Sequence, residues 1–258
     1  MAIDLITYRS SEREQERIAD LLDLIPKSGN CVLDVGARDG YLSRLLAERF
    51  NHVVALDLEK PAIVHPRIEP VKGNAAALAF EDDWFDTVVC TEVLEHIPVH
   101  LLDRACHEIG RVANRAVIIG VPYKQDIRYG RTTCRICGKA NPPWGHVSAF
   151  EESRLQELFH NLSLMRLSYV GTSHEVTNAF SAALLDFAGN PYGTYEQDEL
   201  CIHCGNKMPP PTKRNALQRV ATRAAYLLNS AQRRFTSVRA SWIHARFDKY
   251  PDLDARIP

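Results

Sequence analysis

The stretch Cys31-Val-Leu-Asp-Val-Gly-Ala-Arg-Asp-Gly40 decides the fold: it sets an apolar strand, an acid and two glycines directly before a helical pattern, Tyr41-Leu-Ser-Arg-Leu-Leu-Ala-Glu-Arg-Phe50. Glycine has no Cβ, so at Gly36 and Gly40 the backbone can turn sharply and lie close to a ligand that a larger side chain would hold away. The spacing predicts a strand over 31–35, a loop folded over a ligand at its carboxyl end, and a helix over 41–50. Such a turn alone is a weak signal, and the segments after it sharpen the reading. His52-Val-Val-Ala-Leu-Asp57-Leu58 is a second apolar run ending in an acid about 20 residues after the loop, where a carboxylate can accept from both hydroxyls of a ribose. Gly73-Asn74-Ala75 follows a third short strand and suits an adenine edge, and Phe85-Asp-Thr-Val-Val-Cys-Thr-Glu-Val-Leu-Glu-His-Ile97 supplies a fourth. A dinucleotide site needs a glycine where Arg38 stands, so its pyrophosphate is disfavoured.

On these residues the chain resembles the class I S-adenosylmethionine-dependent methyltransferases. The resemblance runs through Asp34-Val-Gly-Ala-Arg-Asp-Gly40, Asp57, Gly73-Asn74-Ala75, and Phe85-Asp86 through Val93-Leu94-Glu95-His96-Ile97, four motifs in family order over roughly the first half of the chain. It implies S-adenosylmethionine as cofactor, with Asp34, Gly36, Arg38, Gly40, Asp57, Leu58, Asn74, Ala75 and Glu92 as its binding residues. It also implies a Rossmann-like α/β fold: a seven-stranded doubly wound sheet, order 3-2-1-4-5-7-6, with the last strand antiparallel and helices on both faces. Arg38 for the usual middle glycine and Asn74 for the usual acid depart from the family. Asn74 can still hydrogen-bond an adenine edge, and Arg38 can point outwards.

Elsewhere the pattern alternates strand and helix. Ser10 or Ser11 caps a helix to about Leu24, strands fall near 31–35, 53–57, 68–72, 85–91, 115–121 and 164–170, and further helices near 98–113 and 151–160. With 45% apolar residues over 258 positions, the chain can bury a core without disulfides. Its first residues lack a basic-then-apolar leader and no run of eighteen apolar residues occurs, which points to a cytoplasmic protein.

Two Cys-x-x-Cys-Gly turns, Cys134-Arg-Ile-Cys137-Gly and Cys201-Ile-His-Cys204-Gly, could converge four thiolates on one tetrahedral ion. The expectation is a structural zinc held by Cys134, Cys137, Cys201 and Cys204, with unrelated buried thiols or a redox pair as alternatives. A separation of 63 residues is long for a zinc ribbon. It requires the segment after the fifth strand to lie beside the segment entering the last one, in which Cys201 could itself fall.

Methyl transfer to a hydroxyl needs alignment and removal of a proton. His146, in Trp144-Gly145-His146-Val147, is the candidate base, and His96 a second catalytic or positioning residue. Tyr123, Asp126, His174 and Glu175 are further pocket candidates, and Trp144, Tyr192 and Tyr195 a candidate aromatic wall. A divalent cation such as magnesium is compatible with the many acids nearby. The knuckles, the Trp-Gly-His loop and the Phe150-Glu-Glu-Ser-Arg-Leu pattern resemble bacterial sugar and polysaccharide O-methyltransferases, implying a small-molecule or glycan acceptor.

After Met208-Pro-Pro-Pro-Thr212, Leu217, Val220, Ala224, Leu227, Ala231, Phe235, Val238 and Trp242 follow a three-four spacing, predicting one long amphipathic helix. Residues 212–258 hold ten Lys and Arg against three Asp and Glu, a net +7, while residues 1–211 carry a net −8. The chain therefore divides into a methyltransferase domain, 1–211, and a basic helical extension, 212–258. The stripe could pack on the enzyme or a second copy, lie on an anionic membrane, or bind a polyanion such as RNA. Its alanines favour close helix contact, so self-packing or a homodimer is preferred over peripheral membrane contact or nucleic acid. An RNA methyltransferase and a non-catalytic zinc-stabilised binding protein are the competing functions.

Overall fold

The computed structural model describes residues 9–197, 199–211 and 213–250. The leader reading at the first six residues and the division point at residue 212 lie outside the described residues, as do 251–258. The elements are α1 (Glu12–Leu24), β1 (Gly29–Val35), α2 (Tyr41–Leu46), β2 (Phe50–Asp57), β3 (Ile68–Lys72), β4 (Phe85–Thr91), α3 (Val99–Val112), β5 (Ala113–Pro122), β6 (Thr132–Thr133), β7 (Ala140–Asn141), α4 (Glu152–Leu158), β8 (Ser163–Val170), α5 (Ala179–Phe187), α6 (Ala216–Arg233) and β9 (Trp242–Asp248).

Seven strands form one sheet in the order β3-β2-β1-β4-β5-β9-β8, the expected 3-2-1-4-5-7-6 when main-sheet strands are counted. β1 to β5 pair in parallel, and β9 runs antiparallel to both β5 and β8. Successive residues of a strand face opposite sides, so Val88 and Cys90 pack with α3 and α4 on one face, while Val89 joins α1 and α2 on the other. The apolar runs Val32-Leu33 and Val53-Val54-Ala55 are unbroken because both faces are covered. Ser11 caps α1 by accepting from the Glu14 N–H, and His244 on β9 reaches back to Asp20 Oδ2 at 2.6 Å, tying that helix to the sheet.

Three expectations are corrected. The helix predicted over 41–50 stops at Leu46, and Phe50 already opens β2, where its ring is buried. The tail is not one helix to Trp242. α6 ends at Arg233, and Trp-Ile-His-Ala-Arg-Phe-Asp, rich in β-branched and aromatic residues, is the strand that fills the gap between β5 and β8. The basic segment therefore completes the sheet, and Cys201 lies outside any strand, in the long β8–β9 connection.

The stripe on α6 also faces the other way from a self-packed helix. Ala221, Thr222, Ala225 and Asn229 are its buried positions, whereas Leu217, Val220 and Leu227 are 68%, 65% and 71% exposed.

Candidate active site

The cavity follows from the strand order. A space of about 550 Å³ opens at the carboxyl ends of β1, β4 and β5 and is walled by the loop Gly36-Ala37-Arg38, by Thr91 and Glu92, by Pro122 and Tyr123, and by Ser241 and Trp242 at the start of antiparallel β9. Gly36 sits at φ +79°, and a Cβ there would run into Val93 Cγ2. That position therefore requires glycine twice over. Arg38 holds φ 49°, unusual for a side-chain-bearing residue, and its side chain is exposed as expected. Its N–H donates to Asp57 Oδ2 at 2.8 Å while the Leu58 N–H donates to Oδ1 at 2.6 Å, so the carboxylate that ends β2 braces the loop that follows β1.

Asp34 lies beneath this loop, fully buried, and accepts from Ser43 Oγ at 2.6 Å. Burial, with the nearby Asp57 charge, pushes its carboxyl up to about 6 against the Ser43 hydrogen bond. It holds α2 to β1 and does not line the cavity. Gly40, at φ +77°, lets the chain enter α2 beside Ile63. Asn74 is exposed and uses Oδ1 to accept from the Ala76 N–H, with Ala75 buried beside it. Leu58 is 66% exposed next to Asp57, an apolar surface the core does not use. These residues stand at the tips of β2 and β3, beyond the cavity lining, whereas Gly36, Arg38 and Glu92 line it.

The residues fit an adenosyl sulfonium on two counts. Asp57 and Leu58 offer a carboxylate and an apolar face together. Glu92, at φ 55°, has a buried Oε1 without a hydrogen-bond partner, and burial raises its carboxyl.

His96 and His146 meet at the opposite wall, although 50 residues separate them in sequence. A short 3-10 turn, Leu94–His96, follows β4, and the Val147 N–H donates to the Glu95 carbonyl at 2.7 Å, drawing the Trp144-Gly145-His146 loop onto it. The imidazoles stack edge to face with centroids 4.7 Å apart. His146 Nδ1 lies 2.5 Å from Gln125 Oε1, an acceptor, so Nδ1 carries the proton and Nε2 keeps its lone pair. Burial and the neighbouring His96 lower His146 to about 3, and partial desolvation inside the cavity with the nearby Arg38 charge lowers His96 as well, so both are neutral near pH 7.

Tyr123, Trp144 and Glu175 also line the cavity. Asp126 instead pairs with Arg128, and His174 bridges Thr236 and Arg233. Tyr192 packs on Tyr226 and Tyr195 on the cysteine cluster, so the aromatic wall is Trp144 without the two tyrosines. Sequence reasoning missed Gln197, whose amide is buried in the wall with neither atom partnered, and Arg13, Glu14 and Arg17 of α1. None carries a local motif, because tertiary folding alone brings α1 and the β8–β9 connection to these strand ends.

The knuckles do converge. Cys134 Sγ lies 3.6 Å from Cys204 Sγ, and Cys137 Sγ lies 3.6 Å from Cys201 Sγ, with all four sulfurs within 4.8 Å of one another. Each turn closes identically, the Gly138 and Gly205 N–H groups donating to the Cys134 and Cys201 carbonyls at φ +71° and +69°.

A family described as "Methyltransferase domain" matches residues 33–119. The ubiquinone biosynthesis O-methyltransferase of Xylella fastidiosa strain 9a5c is 34% identical over 95 residues, covering 32% of this chain and 39% of that protein. That of Pseudomonas paraeruginosa is 32% identical over 93 residues, covering 32% and 40%. The chain thus spans about two fifths of these curated relatives. Among solved structures, the N-methyltransferase NodS of Bradyrhizobium japonicum in complex with S-adenosyl-l-homocysteine superposes with TM-score 0.51, 12% identity and 94% and 90% coverage. The [4+2]-cyclase SpnF gives TM-score 0.53, 13% identity and 93% and 83% coverage. At such identities these structures speak to fold alone.

Proposed function

We propose that the chain acts as a class I S-adenosylmethionine-dependent methyltransferase, a reading supported by the methyltransferase-domain match over residues 33–119 and by the curated relatives, and that it methylates a hydroxyl of a small molecule, a sugar or glycan foremost. The observation that carries the reading is the cavity wall itself. The glycine loop braced by Asp57 forms one side, and two neutral imidazoles with the unpartnered Gln197 amide form the other. A buried amide without partners is costly and suits a ligand rich in hydroxyls, with Trp144 offering an apolar face to a ring. The relatives named above are O-methyltransferases of ubiquinone biosynthesis, which agrees with an oxygen acceptor.

In this reading Asp57 holds the ribose hydroxyls, Leu58, Asn74 and Ala75 receive the adenine, and Gly36, Arg38 and Glu92 surround the methionine end. Asp34 and Gly40 act by shaping the loop. The sulfonium supplies an electrophilic methyl group. The chain's task is to align the acceptor oxygen with it and to handle the hydroxyl proton at the His96–His146 corner.

The four sulfurs are proposed to hold a structural zinc. A tetrahedral ion with Zn–S near 2.3 Å sets sulfurs about 3.8 Å apart, close to the spacing described. Such a closed site stabilises and does not catalyse. The exposed face of α6 is proposed as a homodimer contact. A cysteine cluster poised for metal is consistent with work in the reducing cytoplasm, and among the described residues no helix is long and apolar enough to cross a membrane.

Calorimetry with S-adenosylhomocysteine and methyl transfer from labelled cofactor to a panel of sugars test the assignment. Asp57→Ala should weaken nucleoside affinity by about tenfold or more, on the order of one to two charge-assisted hydrogen bonds. Unchanged affinity would remove the ribose role, and no binding by the unaltered chain would remove the enzyme reading.

A further inference from the structure

We propose that Glu95, His96 and His146 form a site for a divalent first-row transition cation such as Mn²⁺ at the acceptor end of the cavity. Its presence stands on geometry, while its role rests on the methyl-transfer reading above.

The ligand atoms of these three residues lie within 4.8 Å of one another, and among the described residues only this group and the four cysteines cluster in that way. The decisive member is Glu95. Its side chain is 0% exposed, and neither carboxylate oxygen has a hydrogen-bond partner. Buried charges are ordinarily paired or bound to metal, so both orphaned oxygens beside two imidazoles are explained by a cation between them. Glu92, three residues earlier, brings a third unpartnered oxygen to the same end of β4.

His146 is arranged as a ligand. Gln125 Oε1 fixes its Nδ1 proton and leaves Nε2 as donor atom, the orientation that outer-shell carbonyls commonly give to metal-bound histidines. The Val147–Glu95 backbone hydrogen bond fixes the spacing of the two segments. His96 and His146 both line the cavity, so a bound ion would keep positions open towards the acceptor.

Two imidazoles and one carboxylate suit Mn²⁺, Fe²⁺, Co²⁺ or Zn²⁺, whereas magnesium prefers oxygen ligands throughout. The structure thus redirects the sequence expectation of magnesium towards these ions. The cation's task would be to bind the acceptor hydroxyl oxygen and acidify it. With the cation bound, the two imidazoles at this corner act as its ligands and not as bases: the O–H bond breaks with its proton passing to water, the oxygen's electron pair forms the O–CH₃ bond, and the S–CH₃ bond breaks with its pair staying on sulfur.

Elemental analysis of the 258-residue chain after equilibration with Mn²⁺ and removal of free ion tests the site. The unaltered protein should carry one divalent ion per chain more than Glu95→Gln or His96→Asn, and Cys204→Ser should retain its Mn²⁺. Equal metal content in the unaltered protein and both variants overturns the proposal. His96→Asn changes a cavity-facing position and guards against misfolding of the buried Glu95 variant, with circular dichroism as the check. Calorimetry with S-adenosylhomocysteine on the same preparations separates the two ideas. Nucleoside binding without Mn²⁺ binding sinks the cation site alone, and Mn²⁺ binding without nucleoside binding sinks the methyl-transfer reading alone.

Discussion

Asp34 shows how much a single buried carboxyl can impose on the molecule. Its carboxyl is raised from 3.8 to about 6 by burial and by Asp57. A group raised in the folded state contributes stability below its unfolded value and loses it as pH climbs through the folded one. Asp34→Asn should therefore gain on the native protein between pH 4 and 6 and hold a constant lead above that, about 3 kcal/mol at most. Urea midpoints of the two proteins across that range check this, and a constant difference throughout would mean Asp34 is not shifted. At this scale the sequence was informative wherever a residue type is forced by backbone geometry. Gly36 and Asp57 could be read from spacing because one must turn and the other must end a strand beside that turn. Gln197 could not, since a glutamine in a loop gains meaning only from the wall it is folded into.

Among the elements, the two knuckles were legible because Cys-x-x-Cys-Gly specifies its own turn, and their 63-residue separation is bridged by the sheet that brings the segment after β5 beside the β8–β9 connection. Replacing Cys204 by serine should release about one zinc per chain and lower the thermal midpoint by several degrees. A mercurial titration with colorimetric zinc detection measures the first and calorimetric melting the second; a native protein with no zinc to release contradicts the assignment. The tail was read less well. Its three-four spacing continues by coincidence from α6 into β9, and no glycine or proline marks the stop at Arg233, so periodicity alone carried the helix too far. The same helix buries small and polar residues and leaves Leu217, Val220 and Leu227 outward. Leu227→Glu should convert a dimer to a monomer without altering nucleoside affinity, as light scattering would report. A native protein already monomeric at micromolar concentration would end that proposal.

For the molecule as a whole, the strand order came from the family resemblance that the four cofactor motifs at the tips of the first four strands carry. The last strand has no such motif, so although its place beside the fifth was expected, that Trp242–Asp248 forms it became visible only in three dimensions. That placement bears on biosynthesis. β8 finds its sheet partner only in β9, and the cavity gains Ser241 and Trp242 only when that strand arrives. A ribosome that has translated as far as residue 241 thus carries a nascent chain whose β5 edge is open and whose β8 has nowhere to pair, a species in need of a chaperone. Chains released from the ribosome and ending before β9 or after residue 248 should differ sharply in protease resistance, with the nucleoside protecting only the longer one.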